Sequence, residues 1–409
     1  MNCRFCGHHL KHEFIDLVNS PPSNAFLTKD QLNEPEIFYP LKLYVCDACF
    51  LVQIDEYKKS SDIFNSGYIY FSSFSTTWLA HARKYVEMII ERFGYNPKSR
   101  VIEIASNDGY LLQYFKERGI PCLGIEPAEG TAFEARKKGI ETVVNFFGKR
   151  FAEDLAEQGK KADLLIGNNV LAHVPDLHDF VAGLKIALKS DGVITMEFPH
   201  LMQLVDDCLF DIIYHEHFSY LSLTTVQSIF RLHGLDIFDV DELPTQGGSL
   251  RIYAKHTEDL TKEISNRVGA FLENERAKGV STMDYYEDFS QRADRIKYDL
   301  LKFLIDQKLK GRKIAAYGAA AKGNTLLNYC GIRKDLIPFV VDISIHKQGK
   351  YLPCSHILVV GEEEIKKYKP DYVLILPWNI KEEIMAQLDY IHAWGGRFVV
   401  PMPRVEVID

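Results

Sequence analysis

Two cysteine pairs, Cys3-x2-Cys6 and Cys46-x2-Cys49, are the first residues in the chain whose spacing could do chemistry. Two residues between thiolates let a tight turn aim both sulfurs at one tetrahedral ion, so the pairs point to a four-thiolate zinc site. The residues between them, Arg4-Phe5 and Asp47-Ala48, are ordinary knuckle material. A redox Cys-x-x-Cys needs a βαβ frame, which nothing around residue 3 supplies. Four protein ligands leave no position for water, so the expected ion is structural rather than catalytic. His8, His9 and His12 are alternative ligands and otherwise belong to the surface. Cys122, Cys208, Cys330 and Cys354 are scattered, and a chain with ample core has little need of a disulfide scaffold. A reducing, cytoplasmic setting is the better reading.

The turn Glu103-Ile-Ala-Ser106-Asn107-Asp108-Gly109 follows an apolar strand. A dinucleotide site would place G-x-G-x-x-G there. This turn has one glycine and two acids, a poor setting for a pyrophosphate. A cation suits it, and S-adenosylmethionine (SAM) carries a sulfonium and an ammonium. Glu126 ends the next strand, where a carboxylate can accept from ribose hydroxyls. Asn168 and Asn169 end the fourth strand and could hold the adenine edge or the methionine portion.

A second loop, Gly318-Ala-Ala-Ala-Lys322-Gly-Asn324, also follows a strand and opens a helix. Small residues there let a phosphate approach backbone N–H groups, and Lys322 adds charge. A P-loop would place Lys and Ser/Thr directly after Gly323, so an ATPase is not expected. Asp342 ends the following strand at a position suited to a ribose, and Lys347 follows it. These residues read as a sugar-nucleotide anchor.

Taken in order, the motifs resemble the nucleotide-sugar C-methyltransferases, SAM-dependent deoxysugar enzymes that act beside a 4-keto group. The resemblance covers essentially the whole chain. It includes the four cysteines, Tyr68-Ile-Tyr-Phe-Ser-Ser73, the turn at 103–112, Gly124-Ile-Glu-Pro-Ala128 and Asn168-Asn-Val-Leu-Ala-His-Val174. It continues through Glu197-Phe-Pro-His200, Tyr214-His-Glu-His-Phe-Ser-Tyr220, Gln246-Gly-Gly-Ser-Leu-Arg251, Tyr317 to Asn324, and Asp342 with Lys347-Gln-Gly-Lys-Tyr351. Cys354 departs from the family pattern, which has Gly after Tyr-x-Pro.

Methylating carbon requires a carbanion equivalent, and a hydrogen beside a ketone can be removed by a positioned base. A histidine titrating near neutrality suits that step. The resemblance implies that His217 is this base, with Tyr214 and Glu216 in the same pocket. It also implies a lid at Tyr68, Tyr70, Ser72 and Ser73, one tyrosine reaching the sugar; His173 could line the same cleft. His215-x-His217 lacks the i,i+4 spacing of a catalytic zinc helix. The implied substrate is a small-molecule, dTDP-linked 4-keto-6-deoxy sugar, with no nucleic-acid, membrane or protein partner. The alternative is an NAD(P)-dependent nucleotide-sugar oxidoreductase or epimerase, which lacks its glycine turn here.

These residues need elements to hold them. The chain has 409 residues, 46% hydrophobic and 25% charged, which are globular values, and a net charge of −8, which argues against a sequence-independent nucleic-acid binder. No apolar run reaches the roughly 18 residues of a membrane span. Trp78, Leu79, Ala82, Tyr85, Val86 and Ile89 recur at helical spacing. Short apolar strands then alternate with helical stretches at 101–105, 122–126, 142–145, 163–167 and 192–197, with two more at 235–240 and 249–254. That rhythm predicts a parallel α/β sheet covered on both faces. It restarts at 313–317, 339–341, 372–376 and 397–400. The expected α/β organisation is a zinc-binding module (1–65), a SAM-binding Rossmann-like domain (66–256), a helical connector (257–310) and a Rossmann-like nucleotide-sugar domain (311–409).

Overall fold

The computed structural model describes residues 1–64 and 70–409, which form two compact units. The first comprises Met1–His12, Tyr44–Met202 and Glu216–Tyr285; the second comprises Glu13–Leu43, Gln203–His215 and Tyr286–Asp409. Strands β1 (His12–Ser20) and β2 (Tyr39–Val45) precede the short β3 (Val52–Ile54). Among the described residues no helix is long and apolar enough to cross a membrane.

The first unit is built on a seven-stranded sheet of β4 (Val101–Ile104), β5 (Cys122–Ile125), β6 (Thr142–Val143), β7 (Ala162–Asn168), β8 (Leu188–Pro199), β10 (Leu235–Leu243) and β11 (Ser249–His256). Its order is β10-β11-β8-β7-β4-β5-β6. Strands β4 and β8 are apolar at nearly every central position because helices cover both faces. The helix Thr76–Phe93 buries Ala82, Tyr85, Val86 and Ile89 against one face, and Ser75 caps it by accepting from the Trp78 N–H. On the other face Leu177, Phe180, Val181 and Leu184 of the helix Leu177–Ala187 join the larger core. The two-residue β9 (Ser219–Tyr220) pairs antiparallel with β3.

The all-parallel expectation fails at one edge. Strand β11 runs antiparallel to both β8 and β10. The reason lies in the link 244–248, far shorter than the dozen or more residues a parallel crossover needs. Gln246 (φ 56°) and Gly248 (φ 125°) turn the chain there. Strand β10 consequently ends, like β4, β7 and β8, at the carboxyl edge of the sheet.

In the second unit β12 (Ile314–Tyr317), β13 (Phe339–Val341), β14 (Leu358–Val360), β15 (Tyr372–Ile375), β16 (Arg397–Val400) and β17 (Glu406–Ile408) form a sheet of order β14-β13-β12-β15-β16-β17. All neighbours are parallel except the β16–β17 pair. The charged stretch after 257 forms two helices, Asn266–Lys278 and Phe289–Leu309, and Gly279 ends the first in the left-handed region.

The turn after β4 shows why one glycine is needed. Gly109 sits at φ 75°, and a Cβ there would lie 2.4 Å from Ile140 Cδ1 and 3.3 Å from Ala135 Cβ. Gly109→Ala is expected to lower stability by about 1–3 kcal/mol. A urea unfolding curve with an unchanged midpoint would contradict this.

Candidate functional site

The four sulfurs of Cys3, Cys6, Cys46 and Cys49 lie within 4.8 Å of one another. Cys3 Sγ is 3.5 Å from Cys49 Sγ, and Cys6 Sγ is 3.6 Å from Cys46 Sγ. A tetrahedral zinc with Zn–S bonds near 2.3 Å separates its sulfurs by about 3.8 Å, so the set fits the ion. The buried Gln53 amide donates to Cys3 Sγ at 3.1 Å. The nearby histidines are engaged elsewhere: His8 and His12 meet Asp47 at 2.9 and 3.2 Å, and His9 meets Asn2 at 3.3 Å.

The turn after β4 places Ala105 (φ 54°), Asn107 (φ 50°) and Gly109 in the left-handed region. Two non-glycine residues there store strain of order 1 kcal/mol each. Glu126, past the end of β5, holds the turn: Oε2 accepts from the Asn107 N–H at 2.9 Å and Oε1 from the Ala128 N–H at 2.8 Å. Each oxygen keeps a further lone pair for a ribose hydroxyl. Burial raises the Glu126 pKa, and those two N–H groups oppose the rise.

Around this turn are buried polar atoms that meet no hydrogen-bond partner among the described residues: both Glu103 carboxylate oxygens, Ser106 Oγ, Asp108 Oδ1, Asn168 Oδ1 and Asn169 Oδ1. Burial pushes the Glu103 pKa well above the carboxylate range, the Tyr110 hydroxyl opposes the rise, and Glu126 and Asp108 add to it. With Glu103 ionised, all but the Ser106 hydroxyl are acceptors only. Leaving such groups buried and unmatched costs about 1–3 kcal/mol each, so the site is built for a cation that also brings donors. The ammonium, sulfonium and ribose hydroxyls of SAM are such a set.

Asn107 also ties down the segment read as a lid. Its Oδ1 accepts from the Ser72 N–H at 2.9 Å and its Nδ2 donates to the Tyr70 carbonyl at 3.1 Å. Lys138 donates to Ser73 Oγ at 2.8 Å and to Asp108 Oδ2 at 3.3 Å. The Tyr70 side chain is exposed. Tyr68 lies outside the described residues.

His173 and His217 are brought together. Their rings meet edge to face, with centroids 4.7 Å apart at 77°. Burial lowers the His173 pKa to about 4, so its ring is neutral near pH 7. His217 and Glu216 are buried in the same unit. Tyr214 and His215 fall in the other unit, where His215 Nε2 donates to the Pro40 carbonyl at 3.2 Å.

A buried cluster around Glu197 had no role in the sequence reading. In register, Glu197 on β8 is abreast of Asn168 on β7 and of Arg251 on β11. Its carboxylate accepts from Arg251 Nη2 (2.6 Å), Thr245 Oγ1 (3.0 Å) and His81 Nε2 (2.9 Å). Burial alone would raise its pKa, but His81 and Arg251 hold it below the usual range. Its partners are up to 116 residues away in sequence, and only the motif strings around 197 and 251 hinted at it. His81 and Arg251 line a groove of about 560 Å³ with Lys84, Arg267 and Phe271.

In the second unit Asp342 accepts from the Ala319 and Ser344 N–H groups, both at 2.8 Å, and Lys347 donates to the Ala319 carbonyl at 2.9 Å. Gly318, Asp342 and Lys347 therefore share one strand-end cluster. Gly318 (φ 91°) is explained by packing, since a Cβ would lie 2.3 Å from Pro377 Cδ. Lys322 donates to Asn379 Oδ1 at 2.7 Å, and burial lowers its pKa to about 8. Asn324 donates to the Ser23 carbonyl at 2.6 Å. Cys354 sits at φ 63°, which accounts for glycine at that place in the family pattern.

Residues 3–64 match a zinc binding domain family, residues 78–240 a methyltransferase domain family and residues 244–403 the C-methyltransferase C-terminal domain family. C-methyltransferase NovU of Streptomyces niveus is 32% identical over 406 residues, 99% of this chain and 96% of its own. A ubiquinone biosynthesis O-methyltransferase of Bartonella quintana is 27% identical over 125 residues, 29% of this chain and 49% of its own. Among solved structures, magnesium protoporphyrin IX methyltransferase of Synechocystis with bound SAH aligns at 16% identity and TM-score 0.35, over 43% of this chain and 84% of its own.

Two outcomes follow from this geometry. Purified protein should carry about one zinc per chain, and Cys46→Ser should lower its melting temperature; a metal-free protein of equal stability would contradict the zinc assignment. SAM affinity should fall on acidification while the pH is still above the ordinary glutamate range. Glu103, its pKa raised, must lose its proton to pair with a cation. Calorimetry should show Glu103→Gln binding more weakly and without that pH dependence; unchanged affinity would reject the role.

Proposed function

Since the chain belongs to the family of SAM-dependent C-methyltransferases, we propose that its acceptor is a 4-keto-6-deoxy nucleotide sugar, dTDP-linked, deprotonated beside the ketone and methylated as the enolate. The observation that carries this reading is the contact between His217 and a neutral His173. Carbon methylation differs from oxygen methylation in needing a base strong enough to take a proton from carbon. His217 is that base. Beside a neutral imidazole it can accept a proton without paying like-charge repulsion. Glu216 adjoins His217 in the same unit, and the enolate oxygen needs a hydrogen-bond donor beside the base.

SAM, when bound, supplies the electrophilic methyl group. Glu103, with Asp108, neutralises the positive charge of the donor, and Glu126 holds its ribose. Asn168 and Asn169 take its remaining donors. Ser106 and Asn107 shape the turn, and Asn107 keeps the 70–72 backbone over it. In the second unit Asp342 holds the nucleotide ribose, Lys322 and Lys347 supply positive charge for its phosphates, and Gly318 and Asn324 complete the anchor.

His217→Asn should leave SAM affinity unchanged and lower turnover by about 10² to 10⁴, the usual share of a general base. Mass spectrometry of a 4-keto-6-deoxy nucleotide sugar incubated with enzyme and SAM should show a gain of one methyl mass. An unaltered sugar across dTDP- and UDP-linked 4-keto substrates would overturn the substrate reading. Full turnover by His217→Asn would overturn the base.

A further inference from the structure

We propose that Arg4, inside the first zinc knuckle, is a positioning residue for the His173–His217 pair. The metal site would then hold the acid–base groups in place as well as stapling the fold. The proposal rests on the reading of His217 as the base.

Arg4 lies between two zinc ligands, and its side chain reaches both histidine segments. Nη1 donates to the Pro175 carbonyl at 3.0 Å, two residues past His173. Nη2 donates to the Ile54 carbonyl. The guanidinium lies 5.4 Å from the ring centre of Phe218, the fully buried neighbour of His217. The Ile54 N–H in turn donates to the Phe218 carbonyl at 3.2 Å. One planar fork therefore fastens the backbone past His173 directly and, through Ile54, the backbone beside His217.

The knuckle itself is tied to the sulfurs. The Arg4 N–H donates to Gln53 Oε1 at 2.9 Å, and Gln53 Nε2 donates to Cys3 Sγ. Phe5, the next residue, accepts from His178 Nε2 at 2.7 Å, so the chain after His173 is gripped at a second point. These fastenings matter because the histidine segments have little structure of their own. His173 ends the three-residue turn Leu171–His173, and His217 precedes the two-residue strand β9. An edge-to-face contact between two rings depends on sub-ångström placement, and such short elements do not fix it alone. Displacements of about 1 Å at reacting groups cost up to about 10²-fold in rate.

Arginine is required by this geometry. Two carbonyls and a ring face suit a flat fork with several donors, whereas lysine offers a point charge.

The test compares Arg4→Met and Arg4→Lys with wild type by zinc content, SAM affinity, steady-state kinetics and NMR of ¹³C-histidine-labelled protein. The His217 signal is assigned with His217→Asn. With zinc and SAM affinity retained, Arg4→Met should lower kcat by about 10- to 100-fold at unchanged KM for SAM and move the His217 imidazole signal. Arg4→Lys should show smaller changes of the same kind, and it is the variant read if Arg4→Met loses its zinc. An unmoved His217 signal with full kcat would overturn the proposal, as would a kcat loss that merely tracks lost zinc. If His217→Asn keeps turnover, the base reading fails, while a moved His217 signal in the Arg4 variants still supports positioning.

Discussion

The first unit is organised around a carboxyl group buried among other acids. Glu103, the penultimate residue of β4, has both oxygens unmatched among the described residues, as are Asp108 Oδ1 and the amide oxygens of Asn168 and Asn169. A fold spends stability on such an arrangement only where a ligand repays it. The strained turn at 105–109, the Glu126 clamp and the Asn107 hold on residues 70–72 all preserve this acceptor-rich edge against collapse. Its negative character admits a sulfonium and turns away a pyrophosphate, which separates this Rossmann-like sheet from those that bind dinucleotides.

The sheet extends the polar edge sideways. Asn168, Glu197 and Arg251 lie abreast on three neighbouring strands, so their side chains share one face. The reversed strand makes this possible, because β11, between β10 and β8, brings Arg251 back against Glu197, where a crossover would have carried the chain away. Glu197 is thereby a paired, ionised carboxylate two strands from Glu103. Two buried acids at one edge thus differ in charge demand, because Glu197 is paired with Arg251 and Glu103 has no cationic partner among the described residues.

Much of this was legible from residue types. The cysteine spacing encodes the tetrahedral set directly, since each pair needs only its own turn. The strand-end acids and amides were visible because apolar strands announce where their polar ends must be. What escaped was whatever depended on partners distant in the chain. Arg4 read as ordinary knuckle material, and its contacts with Pro175 and Phe218 are 171 and 214 residues away. His81, three residues from Trp78 on the same helix, carries no signal in the sequence of its bond to the distant Glu197. The antiparallel edge could have been read from the brief link between Leu243 and Ser249. The insertion of Glu13–Leu43 and Gln203–His215 into the second unit leaves no mark in composition.

The central claim is that carbon is made nucleophilic by loss of a proton, before and independently of methyl transfer. Incubating the wild-type enzyme with the 4-keto nucleotide sugar in deuterium oxide, with SAM withheld, tests it most directly. Deuterium should enter the carbon beside the ketone at an enzyme-dependent rate. A sugar that stays fully protonated there, under conditions where added SAM gives methylated product, would contradict the account.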